Sequence, residues 1–133
     1  MKKPIIKIVR IEHPFDKCGF WCSVNKQGVD RCETHSEYEE IYAKHKNMNE
    51  WPNYSRDEEL KTQISDMELQ NYKFAFINIF QLQKAFSSSQ LKECIDKLGF
   101  KIYLLSVNDY YQSSFQVVFR NPLEKEDISS LFV

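Results

Sequence analysis

The chain has 133 residues and a formal net charge of −1, because 18 basic residues are nearly balanced by 19 acidic ones. This length fits one domain. The near-neutral charge argues against direct nucleic-acid binding as the main activity, since no overall positive field would hold a polyanion. Aromatic residues make up 14% of the chain, whereas glycine occurs only three times. So few glycines argue against a glycine-rich phosphate-binding loop.

The N-terminal residues 1–7 are basic and lack the apolar segment of a secretory signal. No uncharged stretch exceeds the ten residues from Phe74 to Gln83, which is well below the roughly 20 residues that a membrane-spanning helix needs. We therefore predict a cytoplasmic protein with no membrane span.

The first half of the chain predicts two strands and a helix. Residues 5–11 are mostly β-branched and apolar, which is typical of a strand, and residues 20–24 form a second candidate strand that would pair with the first as a hairpin. Thr34 and Glu37 have the spacing of a capping box, so we predict that a helix begins there and ends near Lys46. Residues 47–56 read as a polar loop.

The second half predicts further helices and strands. Residues 57–67 are weakly helical and charged, and Asp57, Glu58 and Glu59 are expected on a solvated face. The other predicted elements are a strand over 72–76, a helix capped by Asn78, a helix that follows Ser87–Ser89 and ends at Gly99, a strand over 100–107, a loop over 108–114, and a strand over 115–119 that pairs with the previous strand. The last residues, Leu131–Val133, could pack back onto the core.

Strands at both ends of the chain with helices between them indicate the fold class. We predict a single α+β domain over residues 1–133, with one antiparallel sheet whose one face is covered by helices. Cys94 falls in the apolar stripe of a predicted helix and is expected in the core. Phe115 and Phe119, at strand positions, are expected there as well.

One cluster has the residue types of a metal site. Cys18, Cys22, Cys32 and His35 have the spacing C-x3-C-x9-C-x2-H, and three thiolates with one imidazole are ligands that structural zinc uses. The spacing is irregular for a zinc ribbon, and Cys22 lies inside an apolar strand. Free cysteines are therefore the favoured interpretation, with structural zinc as the alternative.

Three polar residues could surround a cleft. Arg10 and His13 end the first predicted strand, and Gln116 lies in the last strong one. The simpler interpretation is that Arg10 and Gln116 alternate onto the solvent face of the sheet. The functional interpretation places all three residues around a binding cleft.

Four aromatic residues lie in polar segments that are predicted to be loops. Trp51, Tyr54, Tyr110 and Tyr111 suit a protein-binding surface, because Trp and Tyr give a large contact area at low side-chain entropy cost. They could instead cover the core from outside.

The chain resembles a family of small phage and prophage proteins. The resemblance is carried by short motifs in order along the chain: Ile8-Val9-Arg10-Ile11-Glu12-His13, then Pro52 and Asp57, Phe74-Ala75-Phe76 with Gln81-Leu82 and Phe86, Leu98-Gly99-Phe100-Lys101-Ile102, and Gln116-Val117-Val118-Phe119. It implies an accessory protein of a mobile element, a group from which inhibitors of bacterial defence, including anti-CRISPR proteins, are drawn.

Three features are distantly similar to ADP-ribosyltransferase domains: the strand-end Arg10 or His13, the unit of helix, Gly99-Phe100 and strand, and the closing Gln-rich strand. That similarity implies that Arg10 or His13 holds NAD, that Tyr54 stacks on nicotinamide, and that Gln116 lies at the site. Such enzymes usually need a catalytic Glu on a late strand or the loop before it, and residues 108–120 contain Asp109 but no Glu.

Two hypotheses follow. The first is a phage protein without a cofactor that binds and inhibits a host defence or regulatory protein in the bacterial cytoplasm through Trp51, Tyr54, Tyr110 and Tyr111. The alternative is an NAD-dependent ADP-ribosyltransferase that modifies a host protein.

Overall fold

A computed structural model describes residues 3–14, 57–97 and 99–133. The first strand, β1, covers Ile6–Glu12, as predicted from its β-branched sequence, and all residues from Ile8 to Glu12 are buried. Because successive side chains of a strand point to opposite faces, β1 is covered on both faces. A polar side chain in the buried part of this strand, from Ile8 to Glu12, therefore needs a partner inside the protein.

Within residues 57–97 the structure has four helices, and each begins after a residue whose side chain accepts a hydrogen bond from the helix backbone. The helices are α1 (Glu58–Lys61), α2 (Asp66–Leu69), α3 (Ile79–Ala85) and α4 (Ser88–Asp96), with Asp57, Ser65, Asn78 and Ser87 as their respective N-caps. The caps predicted at Asn78 and in the serine run are confirmed. Gly99 follows α4 with a φ of +75°, and Phe100 N–H donates to the Cys94 carbonyl at 3.1 Å, which closes the helix end in the way glycine favours.

Five further strands complete the described elements: β2 (Lys73–Ala75), β3 (Lys101–Val107), β4 (Tyr110–Gln112), β5 (Val117–Phe119) and β6 (Glu124–Asp127). β4 lies where a loop was predicted, because it pairs with β5 and pairing does not require apolar residues. β6 was also not predicted. Its four residues are all charged and exposed, so it shows no hydrophobic pattern.

The strands form two antiparallel sheets of three strands each, in the orders β1-β3-β6 and β2-β5-β4. A single bridge joins the sheets, in which Val9 and Phe76 exchange two backbone hydrogen bonds of 3.0 and 2.7 Å. The α+β class is confirmed, but the prediction of one sheet is wrong. The predicted pairing of residues 115–119 with residues 100–107 is also wrong, since β5 pairs with β2 and β4.

The helices cover one face of this arrangement, as predicted. Buried residues from all four helices, among them Leu60, Leu69, Leu82 and Leu91, belong to one apolar cluster with Val9 and Ile11 of β1. A smaller cluster on the other side of β1 contains Ile8 with Leu105, Val117 and Phe119. The two clusters leave a polar region around Arg10 and Glu12 between the two sheets.

The C-terminal segment packs back in part. A 3-10 helix covers Ser129–Phe132, and Phe132 packs against the larger apolar cluster. Leu131 and Val133, however, are 69% and 63% exposed. The prediction that the last three residues pack onto the core therefore holds for Phe132 only.

Candidate functional site

Arg10 is fully buried and holds the two sheets together. Its Nε donates to Glu12 Oε2 at 2.7 Å and its Nη1 donates to the Phe74 carbonyl at 2.6 Å. The guanidinium carbon lies 5.8 Å from the ring centroid of Phe119. The solvent-facing interpretation of Arg10 is therefore wrong, because the second sheet covers the face of β1 to which this side chain points.

Glu12 connects Arg10 to the surface. Its Oε1 accepts a hydrogen bond of 2.5 Å from Lys125 Nζ, and its side chain is 5% exposed. Burial acts to raise the pKa of this carboxyl, but Arg10 and Lys125 together lower the pKa below its ordinary value. Glu12 is thus an ionised group that is paired on both oxygens.

A pocket of about 410 Å³ opens beside this ion-pair chain. It lies where β2, β3 and β6 meet the turn after β5. Its lining residues are three cations, one carboxylate, two amides and three apolar side chains, namely Lys73, Arg120, Lys125, Glu12, Asn71, Asn121, Leu105, Phe119 and Pro122. The three cations come from separate strands and a turn, so no single motif in the sequence indicates the pocket.

Gln116 lies in a different buried polar group. Its Nε2 donates to Asp57 Oδ2 at 2.9 Å, and Ser113 Oγ donates to the same oxygen at 2.5 Å. Gln116 and Asp57 are 0% and 2% exposed, so the solvent-facing interpretation is wrong for both. Asp57 is held in the interior because it is the N-cap of α1. Its Oδ1 accepts a hydrogen bond of 3.0 Å from Leu60 N–H.

His13 occupies a third environment. It is 7% exposed, and its ring packs edge-on against Phe100 with centroids 5.5 Å apart. The residues proposed to surround one cleft, Arg10, His13 and Gln116, therefore have different neighbours. The separation between Gln116 and Arg10 follows from Phe119, the residue that contacts Arg10. Gln116 lies three positions before Phe119, which is about 10 Å along an extended chain.

Tyr110 and Tyr111 lie on β4 and take part in a row of rings and cations. Lys3 Nζ lies 5.1 Å from the Tyr110 ring centroid and 4.4 Å from that of Tyr111. The Tyr111 ring is in turn 5.6 Å from that of Tyr72. Tyr110 is 8% exposed and donates its hydroxyl to the Pro4 carbonyl, so its expected exposure in a loop is corrected, whereas Tyr111 is half-buried.

Two phenylalanines are exposed, one of which was predicted in the core. Phe80 is 74% exposed and Phe115 is 60% exposed, so the prediction of Phe115 in the core is wrong. Gln81, the neighbour of Phe80, donates its side-chain amide to the Phe115 carbonyl, which brings the two segments together. The sequence carries one signal for Phe80: it falls off the apolar stripe of α3, whose buried residues are Leu82 and Ala85.

Several predicted site residues lie outside the described residues. They are the aromatic residues Trp51 and Tyr54 and the zinc candidates Cys18, Cys22, Cys32 and His35. Within residues 3–14, 57–97 and 99–133, no group of three or more His, Cys, Asp or Glu side chains could hold a metal ion. Cys94, which is in that part of the chain, is fully buried in the core, as predicted.

None of the described helices has the length and apolar character needed to cross a membrane.

Comparison with known proteins gives one match. A protein-family model described as "Bacteriophage T4 Y00F protein" matches residues 1–128, which is nearly the whole chain. Searches of curated proteins and of solved structures gave no match. The resemblance to small phage proteins is thereby confirmed, and the chain belongs to the Bacteriophage T4 Y00F protein family.

Proposed function

We propose that this phage protein binds a bacterial defence protein and inhibits it by occupying its surface, without catalysis, and that Phe80 and Phe115 form the centre of the contact. The observation that carries the proposal is the exposure of these two rings, 74% and 60%, on segments that are hydrogen-bonded to each other. Below, Phe80 and Phe115 are called the phenylalanine surface.

Exposed aromatic rings are costly to leave in water and gain free energy when a partner covers them. Fully burying one such side chain contributes about 1.5–3 kcal/mol, and buried aromatic anchors dominate the affinity of many protein interfaces. Isolated exposed apolar residues are common. Here two exposed phenylalanines lie on segments that a hydrogen bond joins, and exposed apolar surface of this kind is typical of an interaction surface.

The segment that carries Phe115 is held in place before any partner arrives. Phe115 N–H and Gln116 N–H both donate to Ser113 Oγ, at 3.1 and 3.2 Å, and Ser113 Oγ itself donates to the buried Asp57. Gln81 of α3 ties the other side of the segment by donating its side-chain amide to the Phe115 carbonyl. The side-chain oxygen of Gln81 is itself held by Ile77 N–H at 2.7 Å. A surface fixed in this way loses little entropy on binding.

Polar groups lie beside Phe115, as they do at the rim of an interface. Glu59 Oε1 accepts from the backbone N–H and the hydroxyl of Ser114, at 3.1 and 2.8 Å. Gln63 Nε2 donates to the Gln112 carbonyl at 3.0 Å. These contacts join α1 to the loop beside Phe115.

The target class is proposed from the family. A phage protein acts in a bacterial cell, and the small accessory proteins that this chain resembles include inhibitors of bacterial defence. Tyr111, Trp51 and Tyr54 are proposed to extend the contact. Tyr110 is not proposed as a contact, because its ring is only 8% exposed.

The test is a plating experiment with matched variants. Phage that lacks the gene is plated on bacterial strains that each carry one defence system, with the wild-type protein, Phe80→Ser or Phe115→Ser supplied in the host. We expect the wild-type protein to restore plating on at least one defended strain and each serine variant to lose that effect. Leu131→Ser is the control, because Leu131 is equally exposed at 69% but lies on the C-terminal 3-10 helix.

Three results would contradict the proposal. The first is no change of plating on any defended strain, and the second is full activity of both serine variants with normal folding. The third is transfer of label from NAD to a host protein by the purified chain, abolished in Arg10→Lys. That result would support the ADP-ribosyltransferase alternative, in which Arg10, His13 and Gln116 serve NAD.

A further inference from the structure

The pocket beside Glu12 is distinct from the phenylalanine surface, and its chemistry goes beyond the proposed function. The geometry points to a binding site for a small organic phosphate of the size of a nucleoside monophosphate, with the phosphate held by Arg120, Lys125 and Lys73. The pocket volume of about 410 Å³ lies in the lower part of the range of roughly 300–1,000 Å³ for small-molecule sites.

Arg120 offers donors that the fold does not use. Its Nε donates to Asp109 Oδ2 at 2.7 Å, and its guanidinium carbon lies 4.9 Å from the Tyr72 ring centroid. A guanidinium has five N–H donors, and the other four make no hydrogen bond within the part of the chain that the structure describes. The ion pair and the ring therefore orient a planar group whose remaining donors match phosphate oxygens.

Lys125 is positioned in a similar way. Its Nζ donates to Glu12 Oε1 at 2.5 Å and lies 4.2 Å from the Tyr103 ring centroid. An ammonium group has three donors, so this single hydrogen bond leaves two for a ligand. Lys73 adds a third cation to the lining from β2.

The carboxylate of Glu12 lines the pocket, but its negative charge is compensated and does not prevent an anion from binding. Arg10 satisfies Glu12 Oε2 from the buried side at 2.7 Å, so the negative charge of Glu12 is balanced without drawing on Arg120. Glu12 serves to hold Lys125 at the edge of the pocket. The lining thus presents a positive side to the ligand.

The rest of the lining suits the other end of such a ligand. Leu105, Phe119 and Pro122 supply apolar surface to the pocket, and Asn71 and Asn121 add two amides to its lining. Apolar side chains contact the faces of a base or sugar, and amide groups can donate to and accept from base edges. A ligand with one charged end and one planar, weakly polar end would match both the cationic residues and the apolar and amide residues of the lining.

The experiment is a titration of the full-length protein, measured by isothermal calorimetry. The probes are the four ribonucleoside monophosphates, the four matching nucleosides and inorganic phosphate. We expect saturable binding of at least one nucleotide below about 1 mM and binding at least about tenfold weaker for its nucleoside, because the phosphate interactions are charge-assisted.

Variants assign the binding to this pocket. Arg120→Gln and Lys73→Gln are each expected to weaken nucleotide binding by about tenfold or more. Lys84→Gln, on the exposed side of α3, should leave the affinity unchanged. The unfolding midpoints of all variants show whether each one folds. Because two lining variants are made, the test stays decisive if one of them does not fold.

Four results would overturn the inference: no saturable binding of any nucleotide, equal binding of the nucleoside, equal weakening by Lys84→Gln, or inorganic phosphate binding as tightly as the nucleotide, which would indicate an adventitious ion only. Failure here would leave the plating result with Phe80→Ser and Phe115→Ser unaffected, because those residues do not line the pocket.

Discussion

The carboxylate of Asp57 accepts a hydrogen bond of 2.9 Å from the side-chain amide of Gln116, 59 positions later in the chain. The same carboxylate caps α1 and accepts from Ser113. One buried group therefore fixes the start of a helix and the loop that carries Phe115. The phenylalanine surface depends on this contact for its shape.

Asp57→Ala is expected to destabilise the protein by about 2–4 kcal/mol. The loss of the helix cap costs about 1 kcal/mol, and the buried donors of Ser113 and Gln116 that lose their acceptor add about 1–3 kcal/mol. Urea denaturation followed by circular dichroism measures the change. Asn78→Ala is the control, because Asn78 caps α3 through an exposed hydrogen bond only and should cost about 1 kcal/mol. Equal costs for the two variants would contradict the role given to Asp57.

The contribution of Glu12 to stability is expected to depend on pH. The pKa of this carboxyl in the folded protein is lower than its ordinary value of 4.5, so the unfolded chain binds the proton more readily. Its stabilisation is therefore fully present above the unfolded pKa and is lost as the pH falls through the lower, folded pKa. The stability difference between the wild-type protein and Glu12→Gln should be largest near neutral pH and should shrink below about pH 4.5.

Denaturation midpoints of both proteins between pH 7 and pH 2 provide this measurement. Asp127→Asn is a useful control, because the pKa of Asp127 is also lowered, chiefly by hydrogen bonds from Ser129, but this carboxylate lies at the surface. Its effect should be smaller at every pH. A Glu12→Gln difference that stays constant down to pH 2 would show that Glu12 does not titrate as described.

How much of this arrangement follows from the sequence depends on the range of the interactions. The caps at Asn78 and Ser87 and the stop at Gly99 are determined by residues within a few positions, and their prediction is confirmed. The pairing of β5 with β2 rather than β3 depends on residues about 40 positions apart, and local patterns do not encode it. β4 and β6 lack apolar alternation, so their existence depends on the edge that each strand joins.

The candidate sites show the same limit. Arg10 and Gln116 alternate with apolar residues, and the sequence pattern alone assigns such positions to solvent. Both are buried because the two sheets and α1 supply polar partners from distant parts of the chain. Phe115 shows the converse case: it is aromatic and precedes a buried strand, yet it lies in a loop that points its ring outward. The alternation of one strand does not indicate what covers each of its faces.

Cys94 is expected to resist alkylation in the native protein. Burial, with a smaller contribution from Glu93, raises the pKa of its thiol to about 12, so almost no reactive thiolate exists at pH 8. Iodoacetamide treatment followed by peptide mass spectrometry should find the Cys94 peptide unmodified in native buffer and fully modified in 8 M urea. Rapid modification in native buffer would show that α4 opens easily and would contradict its place in the core.

Gly99→Ala tests the backbone at the end of α4. The φ of +75° is one that residues with a Cβ rarely adopt, whereas the added Cβ would lie 3.7 Å from His13 Nε2, an ordinary contact distance. The cost therefore comes from the backbone and is expected to be about 1–2 kcal/mol. Gly99→Asn is the matched variant and should cost less, because asparagine adopts this conformation more readily. Urea denaturation of the three proteins gives the order, and a stabilising effect of Gly99→Ala would contradict the left-handed backbone at this position.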